Sequence, residues 1–256
     1  MVGCWEERHR LGGRTAIVTG AGSGIGRAVA LEFGHRGAHV AAWDVRLPEA
    51  RDTARILEAS GHSAYAAEVD VCNAVNVVQA VDEATRRFGG VDLLANCAGI
   101  LAPTGFADID LDEWSRILAV NLTGSFICCQ AVYRSMKQRG YGRIVNISSS
   151  AGRSTSDLGG AHYTVSKAGV LGLTRHLAKE GGPEITANAV CPGIIDTPMA
   201  RMHSTPEQLE VIREHLPLRR LGTPQDVADL VAFLVSEAGS YITGESIEID
   251  GGELMI

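Results

Sequence analysis

The feature that most constrains this chain is an apolar run that feeds into a glycine-rich turn and then into an apolar-periodic segment. Residues 14–26 read RTAIVTGAGSGIG, and RAVALEFGHRG follows. That order predicts strand, turn, helix. A helix N-terminus offers unpaired backbone N–H groups and a positive dipole end, and glycines let a pyrophosphate approach the backbone. The spacing, Gly20-x3-Gly24-x-Gly26, is not GxGxxG, and no GK[ST] closes the loop as in a P-loop. Alone, the stretch is equally compatible with a plain tight turn. Its context adds weight. A second apolar strand, HVAAWD, ends at Asp44, roughly twenty residues beyond the glycines, where a carboxylate accepts hydrogen bonds from the adenosine ribose of NAD.

The alternation continues to the end of the chain. PEARDTARILEAS reads as a helix, SAYAAEV as a strand leading to Asp70, and AVNVVQAVDEATRRFG as a helix. VDLLANCAG is a strand running into a turn, and DEWSRILAVNLTGSFICCQAVYRSMKQRG is helical through two segments. RIVNIS is a strand, residues 163–180 a helix stopped by GGP at 181–183, and ITANAVCPG a strand. Helices over 206–215 and 224–238 precede a closing strand, SIEID. Strands alternating with helices imply an α/β fold, a doubly wound parallel sheet with helices on both faces. No Pro/Ser-rich linker, charge block or repeat divides residues 1–256, so one domain is expected. In such a sheet ligands sit at the carboxyl ends of the strands. The glycine turn, Asp44, Asp70, Asn96–Gly99, Ser148–Ser150 and Pro192–Thr197 each follow one of six predicted strands, so they converge on one edge.

Composition removes other classes of function. A net charge of −7 and a pI near 5.6 argue against a nucleic-acid or anionic-membrane surface. No apolar run is expected to approach the ~20 residues of a membrane span, and the polar start MVGCWEERHR lacks the apolar core of a signal peptide. The six cysteines form no CxxC pair and the eight histidines no HExxH, so no metal site is expected. Scattered cysteines suit a reducing compartment, and a cytoplasmic location is expected.

The chemistry concentrates in SSSAGRSTSDLGGAHYTVSK, residues 148–167. Tyr163 and Lys167 are spaced i, i+4 and share a helix face. A free phenol titrates near ~10, and a full charge ~4 Å away at an effective dielectric of ~20 supplies about 4 kcal/mol, enough to bring it near neutrality. Such a tyrosine works as a general acid–base, and a nearby serine hydroxyl holds the substrate oxygen as its charge changes. Lysine is scarce, with only Lys137, Lys167 and Lys179. A chance Tyr/Lys pair on a helix face is the competing reading of this stretch by itself.

With these residues assembled, the chain resembles the short-chain dehydrogenase/reductase family over nearly its whole length. The resemblance rests on TGAGSGIG (19–26), NCAG (96–99), Asn121 in VNLTGSF, YTVSK (163–167), PG at 192–193 and YITGESIEIDGG (241–252). It implies a Rossmann-type sheet of about seven parallel strands, a homotetramer, and hydride transfer between nicotinamide and an alcohol or carbonyl carbon. It implies that Tyr163 is the acid/base, that Lys167 lowers its pKa and holds the nicotinamide ribose, and that Asn121 steadies a helix kink and a relay water. It further implies that Gly20, Ser23, Gly24, Ile25 and Gly26 cradle the cofactor phosphates, that Asp44 marks NAD, and that Asp70 and Val71 meet the adenine. Asn96, Ala98, Gly99, Pro192, Gly193, Ile195 and Thr197 would line the rest of the cofactor, together with Tyr163 and Lys167. Arg46, close to Asp44, is positioned to offset its repulsion of a 2′-phosphate.

Three features depart from the family pattern. SSS at 148–150 leaves the catalytic serine between Ser149, favoured by its spacing to Gly152, and Ser150. His162 points about 100° away from Tyr163 on a helix, which suits a structural or substrate-rim role. The turn EGGPEI is slightly short. Cys97, Trp43 and Trp114 are expected to pack. The expected activity is NAD-linked interconversion of a secondary alcohol (polyol, sugar or hydroxy compound) and its ketone. The alternatives are an NADP-linked 3-oxoacyl thioester reductase and a non-catalytic cofactor sensor, the last opposed by the full Asn–Ser–Tyr–Lys set. Substrate choice is expected to lie in 101–106, 150–162 and 197–216.

Overall fold

The alternating elements close into a single seven-stranded sheet, all parallel, in the spatial order β3-β2-β1-β4-β5-β6-β7. The computed structural model describes residues 2–255. The strands are β1 (Thr15–Thr19), β2 (His39–Asp44), β3 (Ala64–Glu68), β4 (Leu93–Asn96), β5 (Gly142–Ile147), β6 (Ile185–Pro192) and β7 (Ser246–Ile249). The helices are α1 (Val2–His9), α2 (Gly24–His35), α3 (Leu47–Ala59), α4 (Ala74–Phe88), α5 (Leu111–Leu118), α6 (Gly124–Arg139), α7 (Ala161–Gly181), α8 (Pro198–His203), α9 (Pro206–His215) and α10 (Pro224–Val235). The order reverses on either side of β1, so the ends of β1 and β4 splay apart and leave a crevice.

The two-face period of a strand decides the layers. Ala16 and Val18 of β1 face a core shared with Val29 and Phe33 of α2 and Val227 and Val231 of α10. Ile17, between them, faces the opposite core with Val77 of α4 and Cys128, Val132 and Met136 of α6. Both faces are covered, which is why the central strands read as unbroken apolar runs instead of alternating.

Several boundaries differ from the sequence expectation. Helix α10 stops at Val235 instead of 238, because the Ser236 hydroxyl accepts from Ala238 N at 3.2 Å and starts a separate 3₁₀ turn, Glu237–Gly239. α1 and α8 were not expected. A signal for α8 was present: Thr197–Pro198, Thr205–Pro206 and Thr223–Pro224 each place a threonine N-cap before a proline in the first turn, and each opens a helix. Leu111–Arg139 is continuous through a π-turn and spans 29 residues, long and apolar enough by length and composition to cross a membrane. The expectation that no apolar stretch reaches that size holds only for unbroken runs. The charges at Asp112, Glu113 and Arg116 interrupt this one. Its apolarity has a use in the fold, since Ile117, Cys128, Cys129, Val132 and Met136 are all buried.

Candidate active site

The first strand ends in a turn that only glycine permits. Gly20 and Gly24 have φ of +66° and +53°. A Cβ on Gly20 would lie 2.9 Å from the Ala98 backbone, and one on Gly26 would lie 2.1 Å from the Gly20 carbonyl oxygen. The loop is therefore folded onto the start of α2 and against the end of β4. Ser23 caps α2 with extended backbone but makes no side-chain bond to the first turn, so that turn's N–H groups keep their capacity to donate to an anion. Asp44, 8% exposed, accepts from Gly22 N and Arg46 N, both at 2.9 Å. A Cβ on Gly22 would come within 2.7 Å of its Oδ2. Arg46 stands over this carboxylate at 3.8 Å, pairs with Glu49 at 3.4 Å and donates to the Ser23 hydroxyl at 3.3 Å. The donor set of the turn and the buried acid beyond it fit a dinucleotide.

Ile25, Gly99, Ser149, Tyr163, Lys167, Pro192, Gly193, Ile195 and Thr197 line one cavity at the carboxyl edge of the sheet. Gly24 lies against Thr197, whose hydroxyl accepts from Ala200 N at 3.2 Å. Val71 is buried and packs under Gly124, whereas Asp70 is exposed, its carboxylate accepting from Cys72 N at 2.9 Å. Asn96 closes β4. Its side chain is 3% exposed and turned inward, donating to Asn146 Oδ1 at 2.8 Å, so only its backbone is left to face a cofactor. Ala98 N and Cys97 N both donate to the Thr19 hydroxyl.

Asn121 sits in the π-turn Ala119–Thr123, between α5 and α6. Its amide accepts from Ile100 N at 2.9 Å and donates to Ile100 O and the Ser166 hydroxyl, each at 3.0 Å. Those bonds tie the strand-four loop to α7 behind Tyr163. His162 is fully buried, and its Nδ1 accepts from Tyr163 N, so its Nε2 donates to Glu113 of α5 at 2.8 Å. This docks the start of α7; it is a structural role, away from the proton path.

The three serines have three different partners. Ser148 donates to Lys167 O at 2.8 Å. Ser149 lies beside the Tyr163 phenol, donates to Pro192 O at 3.5 Å and accepts from Ala151 N at 3.1 Å. Ser150 lies against the Glu253 carboxylate. Lys167, 4% exposed, donates to Ile147 O at 2.9 Å, with Nζ 5.7 Å from the Tyr163 ring centre.

The electrostatics correct one expectation. Lys167 was expected to pull the phenol toward neutrality. Instead burial pushes Tyr163 above the ordinary phenol value, with the Ser149 hydroxyl opposing it, and burial brings Lys167 down to about 8. Both charged forms lose hydration in the cleft, and the ammonium spends its bond on a backbone carbonyl instead of on the phenolate. Burial also raises Cys97, the neighbour of Lys167, to about 12, leaving it a neutral packing thiol.

The family model described as enoyl-(acyl carrier protein) reductase matches residues 20–253. A short-chain type dehydrogenase/reductase from Mycobacterium marinum superposes with a TM-score of 0.93 at 33% identity, covering 98% of this chain and 99% of its own. This chain belongs to the short-chain dehydrogenase/reductase family. Two further members frame its chemistry. The (3R)-3-hydroxyacyl-CoA dehydrogenase of Homo sapiens is 40% identical over 261 residues, covering 97% of this chain and 98% of that protein. A 7α-hydroxysteroid dehydrogenase solved with NADH and 7-oxo glycochenodeoxycholic acid superposes with a TM-score of 0.92 at 33% identity, covering 96% of each chain. As a short-chain dehydrogenase/reductase, the chain is an oxidoreductase that uses a nicotinamide cofactor.

Sequence reasoning missed an acid of this cavity. Glu253, after the Gly251–Gly252 pair, lines it beside Ser149 and Tyr163. The available signal was an acid shortly after the last strand, at the edge where every other site residue gathers.

Proposed function

We propose that this enzyme interconverts a secondary alcohol and its ketone with NAD. The observation that carries the proposal is the meeting of the Ser149, Tyr163 and Lys167 side chains in one cavity at the carboxyl edge of the sheet. Tyr163 Oη gives a proton to the carbonyl oxygen in reduction and takes it from the alcohol in oxidation. Ser149 Oγ holds that same oxygen while its charge changes. Lys167 fixes the floor of the site through Ile147 O, and Asn121 fixes the π-turn and Ser166 behind it. The nicotinamide, when bound, supplies the carbon that accepts or releases the hydride. The glycine turn and Asp44 would hold its dinucleotide, with the buried Asp44 carboxylate favouring a free ribose hydroxyl over a 2′-phosphate. Assay of secondary alcohols, polyols and hydroxy acids, and the matching ketones, with NAD and with NADP tests this reading. No turnover of any of them with either cofactor overturns it. The likeness to a 3-hydroxyacyl-CoA dehydrogenase supports a second reading, a 3-hydroxyacyl thioester substrate, and one acyl thioester in the assay separates the two.

The serines give a sharp prediction. Ser149→Ala lowers kcat about 10²–10³-fold, the usual loss for a donor at a developing oxyanion. Ser150→Ala keeps most of the kcat on a simple secondary alcohol, because Ser150 faces Glu253. Steady-state kinetics of the two variants decide it, and an inactive Ser150→Ala with an active Ser149→Ala reverses the assignment.

We also propose a homotetramer. Phe126 of α6 and Val165 of α7 are 45% and 44% exposed, and Leu218, Tyr241 and Met255 near the closing strand are 62%, 102% and 78% exposed. Two separate apolar patches suit the two interfaces of a D2 assembly. Light scattering is expected to give four times the 27.1 kDa chain mass; a monomer overturns it.

A further inference from the structure

We infer that Glu253 sets the substrate class of this site: its carboxylate accepts a hydrogen bond from a hydroxyl or ammonium group that the substrate carries a few atoms from the reacting carbon, and it turns away substrates bearing an anion there. The inference rests on the secondary-alcohol reading above.

The C-terminal turn is built to present this side chain. Asp250, just past β7, accepts from Gly252 N at 2.9 Å and from Leu254 N at 2.7 Å. Gly251 and Gly252 take φ of +69° and +89°, which reverses the chain and brings Glu253 to the cavity lined by Ser149, Tyr163 and Lys167. The approach is close. A Cβ on Gly193 would lie 2.6 Å from Glu253 Oε2, so only glycine at 193 lets the carboxylate rest there.

Oε2 packs against Gly193, buried and without a hydrogen-bond partner, while the residue as a whole stays partly exposed at the cavity. A buried acceptor with no donor is costly. Burial first, then Asp157 and Asp250, raises this acid above the ordinary carboxylate range. Among the described residues no cation forms an ion pair with it, although Lys167 and His203 line the same cavity. Arg153 pairs with Glu248 at 3.0 Å and gives its Nη1 to Ser246 O. Among the described residues no arginine lines the cavity, and Lys167 is held by Ile147 O. The partly exposed carboxylate at the cavity wall is open to a donor that the substrate brings. An incoming carboxylate or phosphate meets two acids, Glu253 and Asp157, and its repulsion selects against it.

The test compares kcat/KM over chain-matched secondary alcohols: one plain, one with a second hydroxyl, one with an ammonium group and one with a carboxylate. The wild type is expected to favour the hydroxyl or the ammonium arm over the plain alcohol by about tenfold to a hundredfold, the worth of one bond to a charged acceptor. The carboxylate arm is expected to be poorest. Glu253→Gln keeps an oxygen acceptor and removes the charge. It is expected to collapse the ammonium preference, to retain part of the hydroxyl preference and to raise the carboxylate arm relative to the plain alcohol. Loss mainly in the ammonium arm identifies an amino alcohol as the natural type of substrate, and loss mainly in the hydroxyl arm a polyol or sugar. Turnover with the same ranking in wild type and Glu253→Gln overturns the inference and leaves the secondary-alcohol reading standing. A wild type that prefers the carboxylate arm overturns it without any variant. Failure of every arm overturns both.

Discussion

Replacing Tyr163 with phenylalanine lowers kcat by about 10²–10⁴-fold or more, the span general acid–base catalysis supplies. The fold and the binding of cofactor survive. The ring is half-buried on the first turn of α7, and its phenol lies beside Ser149. Phenylalanine keeps the ring and removes only the ionisable oxygen. Circular dichroism and cofactor titration check the second half of the statement; steady-state rates check the first. Retention of most of the wild-type kcat would remove Tyr163 from the mechanism. The pH dependence follows from the same group. Burial raises the phenol, so at neutral pH it is a proton donor, the form that carbonyl reduction needs. Alcohol oxidation needs the phenolate, whose fraction grows as pH rises toward the raised value. Oxidation is therefore expected to accelerate across the alkaline range while reduction declines. An oxidation rate that is flat from neutral to alkaline pH contradicts this assignment.

Asp44→Ser moves the preference between cofactors by about 10²–10³ in relative kcat/KM toward NADP, since one repulsive contact of a few kcal/mol converts at tenfold per 1.4 kcal/mol. Two separate effects are expected. The first is loss of the anion that faces a 2′-phosphate, with Arg46 then released to meet the phosphate instead of Asp44. The second acts on both cofactors. Asp44 Oδ2 is the acceptor for Gly22 N, and a shorter serine leaves that N–H unmet inside the glycine turn, at about 1–3 kcal/mol. Absolute efficiency with NAD therefore falls as well, and the ratio of the two cofactors is the quantity that isolates the charge effect. Equal use of NAD and NADP by the wild type shows that Arg46 already neutralises the acid.

Sequence and tertiary structure contributed different things. The alternation of strands and helices, the glycine turn and the acid at the end of β2 were legible because they depend on local periodicity and on single residues of special conformation. The sheet with both faces covered followed from them, and so did the gathering of Asp44, Gly99, Ser149 and Thr197 at strand ends, because a parallel strand must finish at the same edge as its neighbours. The sequence left Ser149 and Ser150 as alternatives. They differ by one position, and only the 3₁₀ turn after β5 turns one toward Tyr163 and its neighbour toward Glu253. Asn96 read as a cofactor residue, and the pleat of β4, which turns its side chain inward to Asn146, leaves its backbone for that role. The direction of the Tyr163 shift was misjudged because spacing along a helix shows which residues share a face. It does not show how much water each keeps or that Lys167 is already bonded to Ile147 O. Glu253 was invisible for the same reason. Its importance lies in a contact between residues distant in sequence, Glu253 and Gly193, that brings the side chain to the cavity.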